Sequence, residues 1–382
     1  MGDLLRPTDG APHARVLLGV MSNPTNDRLR RQLRSWNGQF ASLGKGVDVR
    51  FVFGKSFYPS TALDAATLGE DAFVVEGREC LPHVGVVTEK SGWWWRTVAA
   101  RQPGYDYYCK SDDDTLVHLD RLQSALSRIE HSLPRAKTYT GHMKWRGWDD
   151  QTDALSACGG NWGGAHKTLE DLITHTKSPD GKILPPCSHA AGPYPYMSGG
   201  MVCMSRPLAQ LLGEDREFGR FLSLAWERND HGSRCRTRAE CATQPEATRM
   251  WHHEDAGIAY NVFRAVVRAN TSAALIPVTG HFDDASAIER TAVRSDGGNL
   301  TALDAFMSAR ALFAHNIKHG LDFARAQARW QLSRRARPEF TPHLHSLAGR
   351  PPERFGAHRR PRAVRAQVRT RFCYGSTAAA EA

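Results

Sequence analysis

No stretch of the 382-residue chain approaches the roughly 18 consecutive apolar residues of a membrane span, and the N-terminus lacks the apolar core of a signal peptide. No transmembrane span is therefore expected, and work in a secretory compartment would need an anchor supplied otherwise. Arg6 stands where N-myristoylation requires Ser or Thr. The eight cysteines form no CxxC pair and keep no zinc-like spacing with histidine, which argues against structural zinc. There is no internal repeat, so solenoids and propellers are set aside. A general excess of positive charge is missing too, despite a formal net charge of +10. Residues 321–382 hold 13 Arg against 4 acidic residues, +9 of that total, so the first 320 residues carry about +1. Nucleic acid is accordingly not an expected partner of the main domain, although the tail has the charge to meet an anionic surface.

What is present suits a buried core: 41% hydrophobic and 24% charged residues. After a polar arm over residues 1–13, Arg15–Met21 reads as a buried parallel strand, short, apolar and β-branched. Asn23-Pro24 turns the chain into a basic helix over Asn26–Trp36. Strands are predicted at Val47–Phe53, Ala72–Val75 and Tyr105–Cys109, with helices at Glu89–Arg101 and Leu119–Glu130. Strands and helices alternating at this interval predict a mostly parallel central sheet flanked by helices, in one domain over residues 14–333. Residues 138–192, rich in Gly, Trp, His and Pro, read as long loops with short elements, and such loops tend to be functional. Leu303–Arg335 reads as largely helical, and the Arg- and Pro-rich segment 334–382 as a disordered tail. Cys235 and Cys241 flank a polar loop that a disulfide could close, and Asn270 and Asn299 open N-glycosylation sequons.

Asp112, Asp113 and Asp114 follow directly on an apolar strand. Three adjacent carboxylates repel one another unless a cation sits among them. A hard divalent ion, Mn²⁺ or Mg²⁺, accepts such oxygens together with those of a diphosphate. In an extended segment Asp112 and Asp114 would project to one side, towards one metal. In open α/β sheets ligands lie beyond the carboxyl ends of strands, where this triplet falls. The plainer reading is a solvated acidic turn or a helix cap.

Collinear segments over residues 15–285 resemble the β-1,3-galactosyltransferase-like family, which includes Fringe-type N-acetylglucosaminyltransferases. Thr88-Glu89-Lys90-Ser91 resembles the family's lysine segment, with Lys90 22 residues before Asp112. Lys110-Ser111-Asp112-Asp113-Asp114 resembles its "K-x-DDD" motif, and Tyr194–Val202, with Gly199-Gly200, its "YPxYxxGxGYV" segment. Glu254-Asp255-Ala256 is similar to "EDV", and Phe51–Gly54 to "FLLG"; Arg34-Ser35-Trp36 resembles "RxTW", one residue short.

The resemblance implies a Rossmann-like GT-A fold and inverting transfer of a hexose, galactose first, from a UDP-sugar to a hydroxyl of a glycan or glycoprotein, with a β-1,3-type linkage. It implies Asp255 as catalytic base, Asp112 and Asp114 as ligands of Mn²⁺ (or Mg²⁺), and Asp113 facing the donor's sugar or ribose. It places the donor near Gly199 and Gly200, a metal-binding histidine at His281, 26 residues after Asp255, and the protein in the Golgi. Arg34 and Lys90 are candidates to neutralise the diphosphate, and Trp145, Trp148 and Trp162 to stack on sugar. An N-acetylglucosaminyl- or glucosyl-transferase of the same fold, or a non-catalytic carbohydrate-binding relative, is the alternative.

Overall fold

The structure is a computed structural model, and it describes residues 13–38, 46–57, 68–79, 87–149, 190–223, 254–277, 281–282, 313–314 and 353–356. The expected helix at Leu303–Arg335 is therefore described only at 313–314, which are extended rather than helical. Trp162, Cys235, Cys241 and Asn299 lie outside the described residues.

The elements run β1 (Val16–Met21), α1 (Asp27–Gly38), β2 (Val47–Phe57), β3 (Ala72–Glu79), α2 (Val87–Arg101), β4 (Tyr107–Asp112), β5 (Leu116–Val117) and α3 (Leu119–Ser132). There follow β6 (Thr138–Asp149), β7 (Ala190–Ser205), α4 (Arg206–Glu214), α5 (Glu254–Arg268), β8 (Ser272–Pro277), β9 (His281–Phe282), β10 (Phe313–Ala314) and β11 (Glu353–Gly356). Eight strands form one sheet in the order β11-β8-β6-β7-β4-β1-β2-β3. All run in one direction except β7 and β11, which pair antiparallel with their neighbours. The mostly parallel sheet flanked by helices is thus present, as a single domain.

The period of two along each strand builds two cores. From β1, Leu17 and Met21 join Val52, Phe73 and Tyr108 in a cluster covered by α2, α4 and α5. Val16, Leu18 and Val20 point the other way, with Phe51, Tyr107 and Cys109, into a cluster with α1 and α3. Every residue of β1 is buried, as a strand covered on both faces must be. Gly19 lets the Trp run of α2 close on the sheet, because a Cβ there would lie 2.6 Å from the Trp94 ring. Trp94 and Trp95 are core residues, 0% and 1% exposed; Trp36 of α1 donates its indole N–H to the Val117 carbonyl at 2.8 Å.

In the stretch read as long loops with short elements, residues 138–149 form the strand β6, so Trp145 and Trp148 lie on a strand rather than in Gly-rich loops. Within the segment 334–382, Glu353–Gly356 form β11, which pairs with β8 at the sheet's edge. Cys109 and Cys203, facing each other across β4 and β7, form a disulfide. No described helix is long and apolar enough to cross a membrane.

Candidate active site

β4 ends at Asp112, and the chain turns at once: the Thr115 N–H donates to the Asp112 carbonyl at 3.2 Å. Asp113 and Asp114 sit in that turn, not in an extended segment, so strand alternation does not set the relation of Asp112 to Asp114. β5 then carries the chain away into a second, three-stranded sheet, β5-β10-β9.

Parallel neighbours bring the loop after β1 to this turn. The Ser22 hydroxyl and the Asn26 amide both donate to Asp113 Oδ2, each at 2.9 Å. Arg30 of α1 is buried and holds the loop from below, donating to the carbonyls of Asn23 and Pro24 and, at 3.3 Å, to Ser22 Oγ. Burial raises the Asp113 carboxyl above its ordinary range, against the lowering pull of the Asn26 and Ser22 hydrogen bonds and the Lys90 charge. Lys90 is not an exposed cation. Its side chain is 7% exposed, and its ammonium donates to the Ser22 carbonyl at 2.6 Å and to both Glu79 oxygens at 2.9 and 3.1 Å. The position suits bracing the Ser22 loop better than meeting a diphosphate directly.

On the other face of β4, Lys110 reaches from the strand to the first turn of α5. Its Nζ lies 2.9 Å from Asp112 Oδ1 and 3.0 Å from Glu254 Oε2. Burial opposes its charge, but Asp112, Glu254 and Asp255 together outweigh burial and hold Lys110 protonated well above the ordinary lysine value. Burial likewise pushes the Glu254 carboxyl up, to about 7; Lys110 pulls it down, and the Asp255 and Asp112 charges push it further up. One ammonium is shared by several carboxylates, so both shifts coexist. Asp255, half-buried in the same helical turn, is brought to the acidic turn through this pair.

A pH test follows from Glu254. Folded, it keeps its proton up to about 7; unfolded, it releases it near 4.5. The native state then binds more protons between those values, so stability falls as pH rises through this window. Glu254→Gln, which never ionises, should lack that fall, worth on the order of 3 kcal/mol at most at about 1.36 kcal/mol per pKa unit. Urea unfolding at pH 5 and 7.5 reads the difference, and identical pH slopes for the two proteins would contradict the assignment.

The glycines of the Tyr194–Val202 segment lie beside the acidic turn. Ser111 pairs with Met201, so Gly199 and Gly200 lie just beyond, alongside the acidic turn. On the β6 side the register jumps from Gly141↔Val202 to His142↔Ser198, leaving 199–201 as a bulge. His281 comes near through the small sheet: it pairs with Phe313, which pairs with Val117, three residues after Asp114. Its backbone is therefore two strand spacings, roughly 10 Å, from β5.

Arg34 is the candidate that the fold does not bring in. It donates from Nε and Nη2 to both oxygens of Asp71, each at 2.8 Å. Asp71 precedes β3, three strands from β4 and hence roughly 14 Å away at the usual spacing. The arginine close to the acidic turn is Arg30, one helical turn earlier. Arg30, Ser22 and Asn26 were not among the candidates, and the pairing of Lys110 with Glu254, each noticed only within a motif, spans 144 residues of sequence. The one available signal was the polar Ser22-Asn23-Pro24 closing an apolar strand.

Among the described residues, no three His, Cys, Asp or Glu side chains are grouped to hold a metal ion. A cation shared with a diphosphate needs only one or two protein carboxylates, which suits a donor set of hard oxygens on one turn.

No protein-family model matches the chain, and no curated protein matches it. Among solved structures, a glycosyltransferase involved in the glycosylation of the major capsid of PBCV-1 is similar over 84% of this chain and 99% of its own, with 11% identity and a TM-score of 0.32.

Proposed function

We propose that the chain is a metal-dependent, inverting glycosyltransferase that moves a hexose, galactose first, from a UDP-sugar to a hydroxyl of a glycan or glycoprotein. The observation that carries this reading is the meeting of the Asp112–Asp114 turn with the first turn of α5 at the carboxyl end of the sheet, joined by Lys110. One element would supply carboxylate oxygens for a cation that also binds the diphosphate; the other would supply a carboxylate for an incoming hydroxyl. The sequence motifs shared with the β-1,3-galactosyltransferase-like family fall on these two elements and on the Gly199-Gly200 bulge.

In this reading the acceptor oxygen attacks the anomeric carbon from the side opposite the diphosphate. The carbon–oxygen bond to UDP breaks as the new one forms, and the electron pair leaves on UDP. The hydroxyl proton passes to Asp255, since Glu254 is committed to Lys110 and is only 13% exposed. Asp112 and Asp114, with His281, would hold Mn²⁺ or Mg²⁺, which would supply Lewis-acid stabilisation of the leaving diphosphate. Asp113, oriented by Ser22 and Asn26, would accept a hydroxyl of the donor's sugar or ribose. The backbone at Gly199 and Gly200 allows close approach of the donor.

The test is UDP release from UDP-galactose and UDP-N-acetylglucosamine, with and without Mn²⁺ and with glycan acceptors. Manganese-dependent release from UDP-galactose supports the reading. Preference for UDP-N-acetylglucosamine moves the protein to the alternative transferase. UDP and sugar binding without turnover moves it to a non-catalytic binding protein. A β-1,3 linkage and a Golgi location belong to the proposal on the resemblance alone.

A further inference from the structure

Lys110 occupies a place in the site that the proposed reaction does not use. Its side chain is 2% exposed, yet its ammonium touches carboxylates from two elements, Asp112 at the end of β4 and Glu254 at the start of α5. A lysine this deep has exchanged its hydration for those oxygens, so breaking either contact requires a replacement. Asp112 is the residue that the proposed function assigns to a divalent cation. An ammonium 2.9 Å from Asp112 Oδ1 and a metal ion cannot both have that oxygen at full strength.

We propose that Lys110 is a resident counter-cation for Asp112, holding the acidic turn in the metal-free protein and ceding Asp112 when a divalent cation binds. The inference rests on Asp112 being a metal ligand and adds what that ligand does beforehand. Glu254 is the element that makes the exchange feasible. It keeps a partner for the buried ammonium once Asp112 has turned away, so no charge is stranded. The same exchange would report cation occupancy to the first turn of α5, where Asp255 lies.

The prediction runs against the usual effect of deleting a residue from a site. A lysine that only maintained the fold would weaken cation binding when lost. A lysine that competes for Asp112 strengthens it. Lys110→Met should bind Mn²⁺ roughly tenfold or more tightly, the scale set by removing a unit charge a few ångströms away at an intermediate effective dielectric. Lys110→Arg, which keeps the charge, should stay near the wild-type affinity.

Lys110→Met leaves Glu254 buried without its ammonium and is prone to misfold, so Lys110→Met/Glu254→Gln is compared with Glu254→Gln alone, and the same tightening is expected. Mn²⁺ binding is measured by calorimetry on the full chain with UDP present, and folding by thermal unfolding. Unchanged or weaker binding in the folded neutral variants overturns the exchange while leaving the metal site standing. Failure of both neutral variants to fold makes Lys110 a structural requirement and overturns the exchange as well. Absence of Mn²⁺ binding in the wild type and every variant removes the cation reading itself, and this inference with it.

Discussion

Asp255→Asn is expected to lower sugar transfer by roughly 10²-fold or more, the range for losing a general base. The amide is nearly isosteric with the carboxylate but cannot take the acceptor's proton at neutral pH. Donor and cation affinity should change little, because the oxygens proposed to bind them belong to the turn after β4, on a different element. The structural role of Asp255 is a first-turn acid on α5, where a negative charge is worth about 0.3–1 kcal/mol against the helix dipole. A purely structural Asp255 would therefore show a small drop in stability and near-normal transfer. The two roles separate in one variant, read by turnover, UDP binding and thermal unfolding together. Near-normal transfer by the folded variant removes the base assignment and turns attention to Glu254.

The parts of the fold that were legible are those whose side chains follow one period. β1 is apolar at all but Gly19 and was placed to within a residue, because burial on both faces leaves no polar interruption. The acidic triplet stood out as a candidate site because its composition contradicts the strand it follows. β7 was not recognised as a strand, and the reason is physical. Pro193 and Pro195 stand in it, and a proline ordinarily argues against a central strand. Here register shifts between Arg146 and Trp148, and between Gly141 and His142, interrupt the ladder around that stretch. β11 is four residues in an Arg-rich segment, paired on one side only, and carries too short a pattern to be read.

The candidate residues were legible one by one, but the contacts that join them were not. Arg30 and Arg34 are one helical turn apart on α1 and look interchangeable in sequence. The fold separates them, giving Asp71 to Arg34 and the Ser22 loop to Arg30. Lys110 was noticed as part of a motif, but its partner Glu254 lies 144 residues away. Lys90 shows the same thing in reverse: its spacing before Asp112 pointed to the site, while its burial against Glu79 makes it a brace behind the site. Buried charges are compensated by the fold, and their partners cannot be named until the topology is known.

Asp114→Ala is expected to reduce transfer by at least roughly 10²-fold, the rate equivalent of losing several kcal/mol of charge stabilisation on the leaving diphosphate. Asp114 sits within the turn rather than in β4, so its loss removes a carboxylate without touching the ladder with β1 or β7. The bland alternative is an acidic turn with no ligand, in which case deleting one of three mutually repelling carboxylates should leave activity intact. Glu76→Ala serves as the control, since Glu76 is an exposed acid on β3, 57% exposed and outside the turn. The cation is tested independently by excess chelator, which should suppress wild-type transfer to the level of Asp114→Ala and be reversed by added Mn²⁺. A residual rate that is the same with and without chelator in Asp114→Ala, but chelator-sensitive in Glu76→Ala, would tie the metal dependence to this turn. Full wild-type turnover in chelator would instead leave the departing diphosphate to be stabilised by the protein's own cations, and the buried Arg30, Lys90 and Lys110 are each engaged by other groups.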